Sequence, residues 1–397
     1  MREPQSRAVA VLLTCLVAVG PISTDLYLPS LPSLVGVFHT DVARVQLTLS
    51  VFLLGFALSQ LVYGPLSDRF GRRPMLVIGM AIYLAATIAC TLATSIEELI
   101  TARFFQALGG CCGPVLGRAV VRDVYGVERA ARMLAYMGAA MALAPALGPV
   151  IGGYLLTWFG WKSSFYLLAG FGVACLSGVL AWLPETNTHR NPLATDPATL
   201  AQNYATIGSH KSFPGYALCV AFGYGVIFVF ISGSSFVLVD VLGVAPQNFG
   251  YCFATAVAGY VVGTLSSGRL TLKLGINRMI ALGTALAAVA GLAMAALALA
   301  GIHTVAAIMV PIVFCFAGVG LNFPNAVAGA IGPFPKMAGA ASALMGFIQM
   351  SCAAAIGYGV GHLHDGTPVP MAVAMALVGC AGFAAYWFLV RRGIQLR

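Results

Sequence analysis

Charge is what this sequence has least of. Of 397 residues only 8% are Asp, Glu, Lys or Arg, where an ordinary soluble domain carries about 25%. A polar shell cannot be built from so few, which excludes a water-soluble globular protein. The ingredients of common enzymes are missing too: there is no Gly-rich nucleotide loop of the G-x-x-x-x-G-K-[ST] kind and no His/Cys/Asp set that supplies a nucleophile with its base. The ten cysteines, the adjacent Cys111 and Cys112 included, fall in apolar segments without metal-ligand spacing and read as small packing residues. Among the six histidines only His362-x-His364-Asp365 forms a cluster, and there a solvated turn outweighs a metal site. Long loops are also scarce, which leaves no room for the sensing domain of a receptor.

What the chain does have is apolar length, with 60% hydrophobic residues. A bilayer-spanning helix needs about 20 mostly apolar residues. Runs cut at Gly, Pro or charged clusters predict twelve such helices, near 8–28, 43–63, 74–94, 98–118, 130–156, 162–183, 213–237, 248–270, 276–299, 304–326, 336–361 and 369–390. The expected fold is an all-α membrane protein of two six-helix bundles, 1–183 and 213–397. The least hydrophobic stretch, 184–212, joins them as a cytoplasmic linker. The first run is too long for a cleaved signal. The net charge of +9 sits on one side of this map, because all Lys and Arg except Arg44, Arg103 and Lys162 fall at the inner ends and loops. It is therefore a topology signal that puts both termini in the cytoplasm, and not a footprint for nucleic acid.

An internal repeat supports the division. "GPLSDRFGRRP" from Gly64 is echoed half a chain later by "GRLTLKLGINR" from Gly268, so that Gly64 and Gly71 map onto Gly268 and Gly275. Parallel repeats about an axis along the membrane normal, with a site between them near the midplane, are an architecture of alternating access.

These residues also carry a resemblance. Gly64-x-x-x-Asp68-Arg69-x-Gly71-Arg72-Arg73 resembles the signature between helices two and three of major facilitator superfamily transporters. "ALAPALGPVIGGY", with Pro145, Gly148, Pro149, Gly152 and Gly153, resembles the fifth-helix motif of the drug:proton antiporters of that superfamily, and Arg103 falls where they hold an arginine within helix four. "TDLYLPSLP", "RDVY", "APQNFGY" and "FPKMAGAASAL" are similar to segments of the Bcr/CflA multidrug efflux subfamily. The resemblance implies a proton-coupled exporter of small lipophilic drugs of chloramphenicol, bicyclomycin or sulfonamide type, in the inner membrane of a bacterium. It implies the proton as coupling ion, no other cofactor, and a monomer with a drug or metabolite, protons and the lipid bilayer as partners. The alternatives are export of a metabolite such as an amino acid, short peptide or sugar, and a facilitator without proton coupling.

Asp25 is the acid to weigh, since the other eleven lie at helix ends or in loops of this map. A carboxylate mid-span costs about 2.5–3.5 kcal/mol on insertion scales and marks a proton or ion path. The bland alternative is that Asp25 ends the first helix at the outer interface, as Pro29 and Pro32 follow. Arg103 is the expected cation beside it, with Gln106 one turn along the same face. Its alternative is a structural arginine bridging helices through backbone carbonyls. The Gly64 loop reads as a gate in which Gly64 and Gly71 permit a tight turn. Asp68 is expected to meet the positive N-terminal end of helix eleven near Lys336, and the echo, with Leu272 in place of Asp68, should lack this latch. Arg118, Arg122 and Asp123 extend the charged inner face, as gate or as solvated helix end. The motif at Pro145 predicts a kinked, close-packed helix. Candidate substrate contacts are Tyr27, Gln106, Tyr224, Tyr260, Asn322, Asn325 and Gln349, against the alternative of interhelical hydrogen bonds.

Overall fold

The computed structural model describes residues 6–188 and 190–391, except for the side chains at 126–129, 131, 132, 135, 139, 140 and 142. Arg2, Arg392 and Arg397, and the side chains of Arg129 and Arg132, which entered the topology argument, lie outside the described residues. All regular structure within them is helical. Twelve helical stretches are long and apolar enough to cross a bilayer: Arg7–Val37, Val42–Phe70, Arg72–Leu92, Ile96–Tyr125, Tyr136–Phe159, Lys162–Trp182, Phe213–Val241, Pro246–Leu274, Ile276–Leu299, Val305–Ile331, Pro335–His362 and Val369–Arg391. Twelve crossings return residues 6 and 391 to the same face, the terminal face.

Local chemistry sets many of the ends. Asp41, Ser95 and Thr304 cap the second, fourth and tenth spans by accepting from the backbone N–H groups of Arg44, Glu98 and Ala307, each satisfying an orphan donor of the first turn. Gly71 and Gly275 end the second and eighth spans at φ +110° and +79°, a region that Cβ-bearing residues avoid. The repeat seen in the sequence is thus a repeat of backbone conformation. Gly64 differs from expectation: it lies inside the second helix with open space beside it, so the turn rests on Gly71 alone. Gly71→Ala is expected to cost about 1–2 kcal/mol from backbone strain. Its Cβ would also meet a Glu185 carboxylate oxygen at 2.3 Å, and a lower unfolding temperature in detergent checks this.

Two departures from the sequence map shape the site. The first span does not stop near residue 28. Its helix breaks after Asp25, passes through a tight turn at Leu28–Ser30 and resumes as Leu31–Val37. The fourth and fifth spans share a continuous helical hydrogen-bond pattern, Cys112–Phe159, yet double back. A methyl on Gly117 would touch Met137 Cε at 3.5 Å, whereas 20 residues of straight helix span about 30 Å.

Small residues bring the backbones together, the pattern that packs helices where lipid offers no hydrophobic gain. A Cβ on Gly113 would lie 2.1 Å from the Leu16 carbonyl oxygen, and one on Gly263 2.1 Å from that of Ala317. On the face opposite the termini the same device joins the two halves of the chain. Gln46 Nε2 donates to the Ser232 carbonyl at 3.0 Å, and the Tyr154 and Tyr251 hydroxyls meet at 3.1 Å. A Cβ on Gly361 would sit 2.6 Å from Gln46 Oε1, and one on Gly153 2.5 Å from the Pro246 carbonyl oxygen. These contacts hold the two halves against each other on this face. Gly361→Val is expected to wedge it apart, seen as a longer distance between spin labels at the exposed positions 41 and 365.

The linker is ordered as well. Its helix, Pro197–Gly208, is capped by Asp196, whose carboxyl is held below the usual carboxylate range by hydrogen bonds from the Thr199 hydroxyl and N–H.

Candidate functional site

The break in the first span exposes carbonyls that a continuous helix would have used, and neighbouring spans satisfy them. Arg103 of the fourth span donates from NH1 to the Ser23 carbonyl at 3.0 Å, and the Ser164 hydroxyl donates to the Leu26 carbonyl at 3.1 Å. Arg103 is fully buried. Its guanidinium lies 4.3, 4.9 and 5.9 Å from the ring centres of Phe52, Tyr27 and Phe165, an aromatic surround of the kind that stabilises a desolvated cation. NH1 also donates to Gln106 Oε1 at 2.5 Å, and Gln106 Nε2 donates to the Thr87 hydroxyl at 2.8 Å. The Tyr83 and Ser23 hydroxyls, 2.8 Å apart, tie the third span back to the first.

Asp25 faces the other way. Two residues of helix turn about 200°, so the carboxylate points away from Ser23 and Arg103. Its Cβ would lie 2.9 Å from a methyl on Gly148, and Tyr224 of the seventh span is within electrostatic reach. The Thr24 hydroxyl approaches Asp25 Oδ1 at 3.4 Å but sits closer, 2.9 Å, to the Pro21 carbonyl. Asp25 is 3% exposed, and among the described residues no cation pairs with it. The expected Asp25–Arg103 pair is therefore replaced by two sites on opposite faces of one broken helix. The alternative for Arg103, a bridge through a backbone carbonyl, is the geometry observed.

The fifth span explains how a helix can break here. Pro145 and Pro149 lie inside it, and a Cβ on Gly152 would fall 2.1 Å from the Leu26 carbonyl oxygen. Gly148 and Gly152 admit the first span, and Gly153 admits the eighth.

The charged cluster at the terminal face also departs from expectation. Asp68 Oδ1 accepts from Arg72 NH1 at 2.5 Å, and Arg72 Nε donates to Asp123 Oδ2 at 3.0 Å. Among the described residues no hydrogen bond or ion pair joins Asp68 to the eleventh span. The reason is competition: Arg72, one turn away, offers a full charge where a helix end offers a partial one. Arg69 donates to the Thr195 hydroxyl at 2.6 Å and Arg73 to the Leu180 carbonyl at 2.9 Å. Arg118 is exposed and donates to its own helix at the Pro114 carbonyl, while Arg122 is exposed. Leu272, at the echo of Asp68, is 91% exposed and latches nothing.

Glu185 was missed by sequence reasoning. Its carboxylate accepts from the N–H groups of Arg72, Arg73, Thr186 and Asn187 at 2.8–3.2 Å, capping the third span from the linker. An acid directly after the apolar sixth helix was the available signal.

The model of the Major Facilitator Superfamily matches residues 13–358. The chain belongs to the major facilitator superfamily. Its superfamily relatives are named as transporters and resistance proteins rather than enzymes. The bicyclomycin resistance protein homolog of Haemophilus influenzae is 28% identical over the full length of both chains. Multidrug resistance protein D of Escherichia coli is 29% identical, covering 88% of this chain and 87% of its own. A chloramphenicol resistance protein of Pseudomonas aeruginosa is 29% identical over 85% and 80%. Among solved structures, a POT family transporter in complex with a thioalcohol-conjugated peptide superposes with a TM-score of 0.77 at 13% identity, covering 98% and 96%. A D-xylose–proton symporter gives 0.74 at 15%, covering 97% of each chain. Twelve apolar spans within this superfamily, with bacterial drug-resistance relatives, make it a multi-pass protein of the bacterial inner membrane that moves small molecules.

Against that superfamily background the candidate cargo contacts divide. Tyr27 is fully buried, with its hydroxyl 3.2 Å from that of Thr48 and its ring against Arg103. Gln106 spends both ends of its amide on Arg103 and Thr87. Asn325 bonds Ser267, Leu321 and Thr271, and Asn322 donates to the Cys219 carbonyl. All four make interhelical hydrogen bonds here, the alternative that the sequence left open, because a buried amide or hydroxyl takes the partners in reach. Gln349 is buried on the eleventh span. Tyr260 and Tyr224 are half-buried, and Tyr224 lies within electrostatic reach of Asp25 from the other half.

Proposed function

We propose that the chain is a proton-driven antiporter that exports small, moderately lipophilic compounds, antibiotics among them, by alternating access between the halves 1–183 and 213–397 joined by 184–212. Asp25 carries the proton, and Arg103 holds the broken first helix in the form that presents it. The observation that carries this reading is a buried carboxylate at a helix break in the middle part of the first span, without a paired cation among the described residues and within electrostatic reach of Tyr224 in the opposite half. An acid so placed is a functional site by default in a bilayer. The cargo class is supported by the names of its relatives, a bicyclomycin, a multidrug and a chloramphenicol resistance protein. Asp68, Arg69, Gly71, Arg72, Arg73 and Asp123 form the gate at the terminal face, with Arg118 and Arg122 beside it, and the protein works as a monomer.

The driving force suffices. One proton moving down 100 mV releases about 2.3 kcal/mol, which at about 1.4 kcal/mol per decade sustains roughly a forty-fold gradient of a neutral cargo. The test is purified protein in liposomes with an acidic interior and a pH dye. Adding a chloramphenicol-type compound should evoke proton efflux. Drug flux without proton movement would leave a facilitator, and neither flux with drugs but proton-linked flux with amino acids or sugars would make the cargo a metabolite.

A further inference from the structure

The third and fourth spans do not close against each other on their bilayer side. Between them runs a furrow of about 790 Å³. Its floor is alanine, with Ala85 and Ala89 on the third span and Ala93 just past its end, while Ile82 and Phe105 line it beside them. Ile82 to Ala93 measures about 16 Å of helix, close to half the roughly 30 Å hydrocarbon thickness. The furrow is therefore one leaflet deep. It opens at the face opposite the termini, where its mouth carries the exposed Glu97 and Glu98. Arg44 pairs with Glu97 there, and Glu98 Oε2 accepts from the Thr94 N–H at 2.8 Å and hydroxyl at 3.0 Å.

We propose that this furrow is a binding site for a glycerophospholipid with a primary ammonium headgroup. An acyl chain lies on the alanine floor, the ammonium donates to the Glu97 and Glu98 carboxylates, and the phosphate lies toward Arg44. Depth and dryness call for an acyl chain, because water gains nothing in an apolar slot. The rim selects the headgroup. Two carboxylates and one guanidinium match a zwitterion and disfavour a net anion, and a carboxylate accepts N–H donors that a primary ammonium has and a quaternary one lacks. The same turns of the fourth span send Arg103 to the interior, so the furrow is separate from the central site and independent of the transport reading.

Native mass spectrometry of the full chain tests this, after exchange into detergent holding equal phosphatidylethanolamine, phosphatidylcholine and phosphatidylglycerol. Wild type should retain one phosphatidylethanolamine in preference to the other two. Ala85→Leu with Ala89→Leu fills the floor at two exposed positions, so helical content should hold while retention falls about tenfold. Equal retention of all three lipids, or unchanged retention in the filled variant, would overturn the proposal. So would displacement of the lipid by tetraphenylphosphonium, which would make the furrow an entrance for lipophilic cations.

Discussion

Asp25→Asn should abolish drug-evoked proton movement and reduce the cargo gradient from roughly forty-fold to about onefold under 100 mV, with drug binding retained. The substitution keeps the shape that Gly148 packs against, and an amide still meets the Thr24 hydroxyl, so only the exchangeable proton is lost. Asp240→Asn, on an exposed carboxylate of the seventh span, serves as the control and should leave both quantities unchanged. The measurement is paired: pH-dye signal and labelled-drug accumulation in the same liposomes. If Asp25→Asn still moves protons on adding drug, the carrier lies elsewhere and the carboxylate must be explained as part of the helix break.

The second large effect is expected at Arg103. Replacing it with Met removes a cation whose presence mid-membrane costs about 2.5–3.5 kcal/mol on insertion scales, which by itself would stabilise. Against this stand two charge-assisted hydrogen bonds, to Ser23 and Gln106, worth about 1.5–3 kcal/mol each. Desolvated aromatic contacts add about 2 kcal/mol. The losses exceed the gain, so Arg103→Met should destabilise by about 2–4 kcal/mol and release the first helix from the geometry that presents Asp25. A lowered unfolding temperature together with lost transport is the expected outcome, and Arg103→Lys should fall between. A variant as stable as wild type but inactive would instead make Arg103 a direct participant in proton transfer.

Much of this architecture was readable before any coordinates. All twelve spans follow from run lengths, because the bilayer imposes one length on every crossing and leaves few alternatives. The Gly71 and Gly275 correspondence was equally visible, since glycine is the residue that a left-handed backbone demands. The central site was less legible, for a geometric reason. Asp25 and Arg103 were the two isolated charges of one bundle, and pairing them was natural, but helical phase puts Asp25 and Ser23 on opposite sides. Only the break after Asp25 decides that Arg103 meets a carbonyl. The partner of Asp68 was not legible, because a sequence shows which residues are near a helix end and not whether a neighbouring guanidinium outcompetes it. Cargo contacts were the least legible, since buried polarity has the same composition whether it binds cargo or a neighbouring helix, and four of the seven candidates are hydrogen-bonded between helices.

The linker gives the last consequence. Glu185, Asn191 and Thr195 fasten its first part to the second and third spans. Tyr204 donates to the Leu61 carbonyl at 3.1 Å, and Ile207 is buried among residues of the second half. A segment anchored at both ends and helical between them behaves as a strut rather than a rope. The helix is thus fastened to the first half as far as Tyr204 and to the second half from Ile207, within one turn, so rocking of one half is passed to the other at that point, and inserting a few glycines beside Ser209 would introduce slack into that mechanical link without touching a single residue of the transport path.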